Sequence, residues 1–201
     1  MAARVTAYEA LDLLMEGNAR FRQGEARFTG LRPDVLEELA KGQKPFATIL
    51  GCSDSRVPPE LIFDAVLGEL FVIRVAGNIM SAEIAGSLQY AGVHLQTPLF
   101  VVLGHSGCGA IHAGLSYRSS GIRHQSRIQI LVDGLMPALN NIDRNLPDAS
   151  QHSLAVEANV RWTMRQILAT EARAKVALGK FKLIGAVYDM TTGKVRFLDD
   201  I

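Results

Sequence analysis

Apolar residues follow two rhythms along this chain, and the alternation between them sets out the fold. Continuous apolar runs, bounded by polar or glycine-rich turns, occupy 45–50, 70–75, 99–103 and 181–188. Runs of that length and content are expected of strands buried on both faces. Between them, apolar residues return every three or four positions. Thr6 and Glu9 make a capping-box pair, after which Leu11, Leu14, Met15 and Phe21 share one face of a helix reaching about Arg22. A short helix is predicted from Pro33 to a stop at Gly42, and another over 60–66, opened by Pro58 and Pro59. Ile84, Leu88, Ala91 and Leu95 predict a helix over 81–95 that Thr97-Pro98 ends. A short helix is expected after Gly109, 116–127 reads as polar loop, and Pro137 and Pro147 bracket a less regular region. Val156, Val160, Met164, Ile167 and Ala174 predict one long helix over 153–178, with Glu171 breaking its stripe near the end. Thr191-Thr192-Gly193 then turns the chain into a last strand over 194–198, closing a hairpin.

Strands alternating with helices predict right-handed βαβ units, and so an α/β fold with a mainly parallel central sheet flanked by helices. The closing hairpin adds an antiparallel edge strand, and the first helices form an N-terminal helical arm. No repeat, linker or low-complexity tract divides the chain. The expectation is one domain over 1–201, with 1–42 as the arm and 43–201 as the core.

Composition narrows the class. At 201 residues and 48% hydrophobic, the chain can bury a substantial core. A net charge of +1 gives no electrostatic case for nucleic acid or an anionic membrane as partner. No segment approaches the length of a membrane span, and Glu9 and Asp12 interrupt any apolar leader after the first residues. A cytoplasmic protein is expected. From Ile84 to Val132 there is no Asp or Glu, while Arg118, Arg123, Arg127 and four of the five histidines fall there. Such a stretch suits either a solvated basic surface or a positive surround for a site that handles an anion.

The chemistry gathers in two turns. Each apolar run over 45–50 and 99–103 empties into a polar, glycine-bearing turn: Gly51-Cys52-Ser53-Asp54-Ser55-Arg56 after the first, Gly104-His105-Ser106-Gly107-Cys108-Gly109 after the second. In open α/β sheets, ligands bind beyond the carboxyl ends of strands. The chain's only two cysteines both lie here. Two soft sulfurs with one imidazole suit a tetrahedral zinc ion that keeps a fourth place for water. Inert buried thiols and a redox pair stay open as readings, although the redox motif Cys-x-x-Cys is absent. Asp54 could ligate a metal or stand beside it. Arg56, two residues on, favours the second role, since an Arg–carboxylate pair holds the carboxylate ionised and aimed.

These paired turns resemble those of the β-class carbonic anhydrases. The likeness extends to Phe71 through Asn78, to Ser87-Leu88-Gln89-Tyr90-Ala91, to Val101 through His105, and to Gly185-Ala186-Val187-Tyr188-Asp189 with Thr192-Gly193-Lys194-Val195. It covers about residues 40–200. The resemblance implies zinc, one ion per chain, held by Cys52, His105 and Cys108. It implies that Asp54 and Arg56 orient a zinc-bound hydroxide that attacks carbon dioxide, giving bicarbonate and a proton. Gln43, Phe71, Ala76 and Tyr90 match positions lining the carbon dioxide pocket, and His94 matches a position for proton transfer, with a plain helix histidine as its alternative. A homodimer or homotetramer is implied, the N-terminal helix packing on its neighbour.

One branch of that family carries Trp three residues before the first cysteine, as part of a regulatory bicarbonate site. Here the residue is Ile49, so although Arg74 matches another member of that site, the expectation is the branch with Asp54 off the metal. Asp54 would ligate zinc only in an inactive closed form. Two other functions share the motifs: a zinc hydrolase of carbonyl sulfide or carbon disulfide, and a non-catalytic scaffold that keeps the fold.

Overall fold

The computed structural model describes residues 5–27 and 33–199. Five strands build one sheet: β1 (Ala47–Gly51), β2 (Leu70–Arg74), β3 (Leu99–His105), β4 (Lys182–Tyr188) and β5 (Val195–Phe197). Their order is β2-β1-β3-β4-β5, and every pairing is parallel except β4 with β5. The helices are α1 (Ala7–Gln23), α2 (Pro33–Leu39), α3 (Pro59–Ile62), α4 (Ala82–Tyr90), α5 (Gly109–Ser120), α6 (Ile128–Leu139), α7 (Asp148–Leu168) and α8 (Ala172–Ala177).

Period-two alternation divides the sheet's side chains between two cores. Ile49, Val101, Leu103 and Ile184 point to one face, where they meet Ala10 and Leu14 of α1 and Ile62 and Phe63 at α3. Leu50, Phe100, Val102 and Leu183 point to the other, against Leu88 of α4 and Val160, Met164 and Ile167 of α7. All seven residues of β3 are buried, as expected of the strand lying between β1 and β4. On the α7 face a β-carbon on Gly104 would stand 2.7 Å from Val160 Cγ2, so this helix seats close against the sheet.

Helix α1 begins with both bonds of the capping box, Glu9 N to Thr6 Oγ1 and Thr6 N to Glu9 Oε2. It is sewn to the core by Asn18. The Nδ2 of Asn18 donates to the carbonyls of Ile62 and Gly193, and its Oδ1 accepts from Val195 N. Arg20 and Arg27 converge on the buried carboxylate of Asp64. The opposite face of α1 leaves Tyr8 and Met15 exposed.

The observed elements correct five sequence expectations. Residues 116–120 are helical, forming the end of α5. The region up to Pro137 is helix α6, with that proline inside its last turn, where it forgoes the backbone bond to the Asp133 carbonyl while Val132, Leu135, Ala138 and Leu139 bury the helix's apolar face. The long helix starts earlier and ends at Leu168, α8 following as a separate piece. The helix expected over 60–66 is a single turn, and the one over 81–95 continues past Tyr90 as a wider π-turn over Ala91–Leu95. Residues 174 and 28–32 lie outside what is described of side chains or chain.

Candidate active site

Strand order places the chemistry. From β1 the chain steps to β2 on one side, then crosses to β3 on the other, so β1 and β3 flank a topological switch point. Parallel pairing aligns Gly51 with Leu103. The residues following each strand therefore emerge side by side at the carboxyl end of the sheet, the location where open α/β sheets form crevices.

Cys52, His105 and Cys108 meet there. Their ligand atoms all lie within 4.8 Å of one another, and all three residues are buried. The histidine is preset: its Nδ1 lies 2.9 Å from the Ser106 carbonyl, which can only accept, so Nδ1 carries the proton. That leaves the lone pair on Nε2, which is buried and has no partner among the described residues. An orphaned acceptor beside two sulfurs fits one soft or borderline cation such as Zn²⁺. The hydrogen bond from Cys108 first, then that from Gly77 N–H, outweigh burial and lower the Cys52 thiol well below the usual range. The Cys108 thiol is pushed up by that same shared bond and by burial. With no disulfide between them, both sulfurs are free to bind a cation, which would displace their protons.

Asp54 is beside this group and outside it. Arg56 grips the carboxylate in a fork, Nε to Oδ1 at 2.9 Å and NH2 to Oδ2 at 2.7 Å, while Arg56 N donates to Oδ1 at 3.0 Å. The side-chain bond from Arg56, outweighing partial burial, holds the carboxyl far below the usual carboxylate range. Asp54 is thus ionised at any working pH.

Residues that the sequence did not single out for these tasks support both turns. Arg74 donates to the carbonyls of Cys52 (2.9 Å) and Asp54 (2.6 Å), pinning the first turn. His152 Nε2 lies 3.1 Å from the Cys108 carbonyl. Gly77 N donates to Cys52 Sγ at 3.3 Å from a short 3-10 turn, Ala76–Asn78. That turn needs glycine: φ is +71°, and a β-carbon would press Ala110 at 3.1 Å. The signal for Arg74 was its place at the end of a buried run, one residue from the turn. Nothing local marked His152.

Of the expected pocket residues, Phe71, Tyr90 and His94 form an aromatic ladder, with ring centroids 6.0 and 5.1 Å apart. Ala76 opens the 3-10 turn beside Gly77. Gln43 is exposed in the segment leading to β1.

Comparison with known proteins agrees with this geometry. A family model described as carbonic anhydrase matches residues 47–195. Carbonic anhydrase 2 of Mycobacterium tuberculosis is 34% identical over 199 residues, 98% of this chain and 94% of that protein. The chain belongs to the β-carbonic anhydrase family. The β-carbonic anhydrase CcaA superposes with a TM-score of 0.75 at 29% identity, covering 94% of this chain and 87% of its own. The Coccomyxa β-carbonic anhydrase in complex with acetazolamide gives 0.74 at 27%, covering 94% and 86%. Membership makes the chain an enzyme, a carbonic anhydrase, with a three-residue site suited to zinc.

Proposed function

We propose that this enzyme reversibly hydrates carbon dioxide to bicarbonate and a proton with one zinc ion per chain, held by Cys52, His105 and Cys108. The observation that carries this reading is the division of labour at the two turns. Three donors converge on one point, and an ionised carboxylate stands next to them with both oxygens engaged by an arginine. Zinc, when bound, supplies a Lewis acid that makes water nucleophilic near neutral pH. Asp54 acts as acceptor for the proton that the attacking water retains, so that an oxygen lone pair faces the carbon. Arg56 keeps Asp54 from turning onto the metal. Phe71, Ala76, Tyr90 and Gln43 shape an apolar slot for carbon dioxide, the last from the segment before β1. His94, stacked on the half-exposed Tyr90, is the group through which the proton leaves.

The exposed apolar side chains of the arm over 1–42, Tyr8 and Met15 on α1 among them, are the surface that a second copy covers in a homodimer or homotetramer. Among the described residues no helix is long and apolar enough to cross a membrane, consistent with a cytoplasmic place of work.

The test joins metal analysis to stopped-flow kinetics. About one zinc per chain and rapid carbon dioxide hydration that acetazolamide inhibits are expected. Absence of metal, or faster release of hydrogen sulfide from carbonyl sulfide or carbon disulfide than hydration of carbon dioxide, overturns the reading.

A further inference from the structure

Helix α7 reaches the metal site without contributing a ligand. Asn159 and Thr163 lie one helical turn apart on its inner face, and both are buried. Asn159 Nδ2 donates to the Gly77 carbonyl at 2.8 Å, and Thr163 Oγ1 donates to the Asn78 carbonyl at 3.0 Å. Both bonds land on the 3-10 turn whose Gly77 N–H faces the Cys52 sulfur. The turn is an unusual conformation to hold: Gly77 and Asn78 both have positive φ, and Asn78 at +43° carries a side chain. Left alone, two such residues in succession would relax toward commoner backbone states.

Burial makes the arrangement costly. Asn78 Nδ2 and Asn159 Oδ1, one a donor and one an acceptor, are buried with no partner among the described residues. Apolar side chains at 159 and 163 would avoid the orphaned Oδ1 but would take the donors from the Gly77 and Asn78 carbonyls. What the polar pair achieves is orientation. The carbonyls of residues 77 and 78 are drawn toward α7, so the amide of Gly77 is held toward β1 and the turn behind it. An amide donating to a thiolate removes charge from the sulfur and fixes its direction, and such outer contacts tune a metal site.

We propose that Asn159 and Thr163 are positioning residues: through the Ala76–Asn78 turn they aim the Gly77 N–H at Cys52 Sγ, and so set how tightly and in what electronic state the site holds its metal. This rests on the reading of Cys52, His105 and Cys108 as the zinc ligands.

The experiment compares purified wild type with Asn159→Ala, Thr163→Val and Thr163→Ser. Zinc affinity is measured by competition with a chromophoric chelator. The sulfur-to-metal charge-transfer band is recorded after cobalt replacement, and far-UV circular dichroism checks folding. Asn159→Ala and Thr163→Val are expected to weaken zinc binding about 10–100-fold and to displace the cobalt band. Thr163→Ser, which retains the hydroxyl, restores both. Should Asn159→Ala fail to fold, the near-isosteric Thr163→Val and its serine rescue decide the matter. Folded variants that bind zinc as wild type does, with an unmoved cobalt band, reduce both residues to packing and overturn the proposal while leaving the zinc reading intact. A wild type that binds neither zinc nor cobalt overturns both together.

Discussion

The seat of α7 on the sheet offers the sharpest quantitative prediction. Gly104 is the residue before His105, and a β-carbon there would stand 2.7 Å from Val160 Cγ2 and 3.1 Å from Val156 Cγ1. Neither valine can swing aside, because a β-branched side chain in a helix has essentially one rotamer. Val160 is also held on its other side, where its Cγ1 would come within 2.8 Å of a β-carbon on Gly185. Gly104→Ala must therefore lift α7 or push β3. Overpacking of this kind costs about 1–3 kcal/mol. The alanine recovers about 0.4–1 kcal/mol by restricting the unfolded chain, so the net loss should be about 0.5–2 kcal/mol. In a domain of this size that lowers the melting temperature by roughly 1–8 °C. Val160→Ala alone opens a cavity and destabilises too. Combined with Gly104→Ala, it removes the clashing methyl groups, so the double variant should be more stable than the sum of the single losses by about 1 kcal/mol. Urea melts of the four proteins measure that coupling. Additivity within about 0.5 kcal/mol, or a neutral Gly104→Ala, would refute the claim of close seating.

Three further outcomes are expected. Asp54→Asn should keep zinc yet lower carbon dioxide hydration about 100-fold, close to 2.7 kcal/mol of barrier. An amide presents a donor where the carboxylate accepts; stopped-flow kinetics with metal analysis would expose loss of zinc instead, and with it a ligand role for Asp54. Prolonged chelation should lower the melting temperature, and zinc should restore it where magnesium does not. His105 Nε2 would otherwise stay buried and unpaired, and a ligand at 1,000 times its dissociation constant adds about 4 kcal/mol to stability. The third concerns Asp64, which burial pushes up but which hydrogen bonds from Arg20 and Arg27 hold below the ordinary carboxylate value. Because its folded pKa is depressed, its contribution is complete above the unfolded pKa, about 4, and is lost as pH falls through the folded one. Asp64→Asn should thus be less stable than wild type at pH 7, and the gap should narrow below about pH 4 in melts across pH.

Much of the sheet and the clustering of Cys52, His105 and Cys108 could be read from the chain because the same local signal marks both. An apolar run followed at once by Cys52 or by His105 states where a buried strand ends and what chemistry it delivers. Helix α6 was hidden because Pro137 reads as a breaker, while the burial of Val132, Leu135, Ala138 and Leu139 outweighs the one backbone bond the proline forgoes. The division between α7 and α8 escaped the apolar spacing. It depends on Thr170, whose Oγ1 donates to the Ile167 carbonyl and accepts from Ala172 N, closing one helix and opening the next. The roles of Asn159, Thr163 and His152 were beyond reach for a different reason. Each serves a carbonyl 44 to 85 residues away, and periodicity reports only the face that a residue occupies.

Asn18 bears on how the molecule is made. Its side chain joins α1 to Gly193 and Val195, residues 175 and 177 positions later. During synthesis the first helix can meet Ile62, Phe63 and Asp64 early, but its seam with Gly193 and Val195 closes only when nearly the whole chain has left the ribosome. Contacts of such sequence separation slow folding, and the open seam is exposed in a half-made chain. A chain truncated before residue 193 keeps the bonds from α1 to Ile62 and Asp64 and loses those from Asn18 to Gly193 and Val195, so its first helix is held beside α3 without the seam to the chain's end.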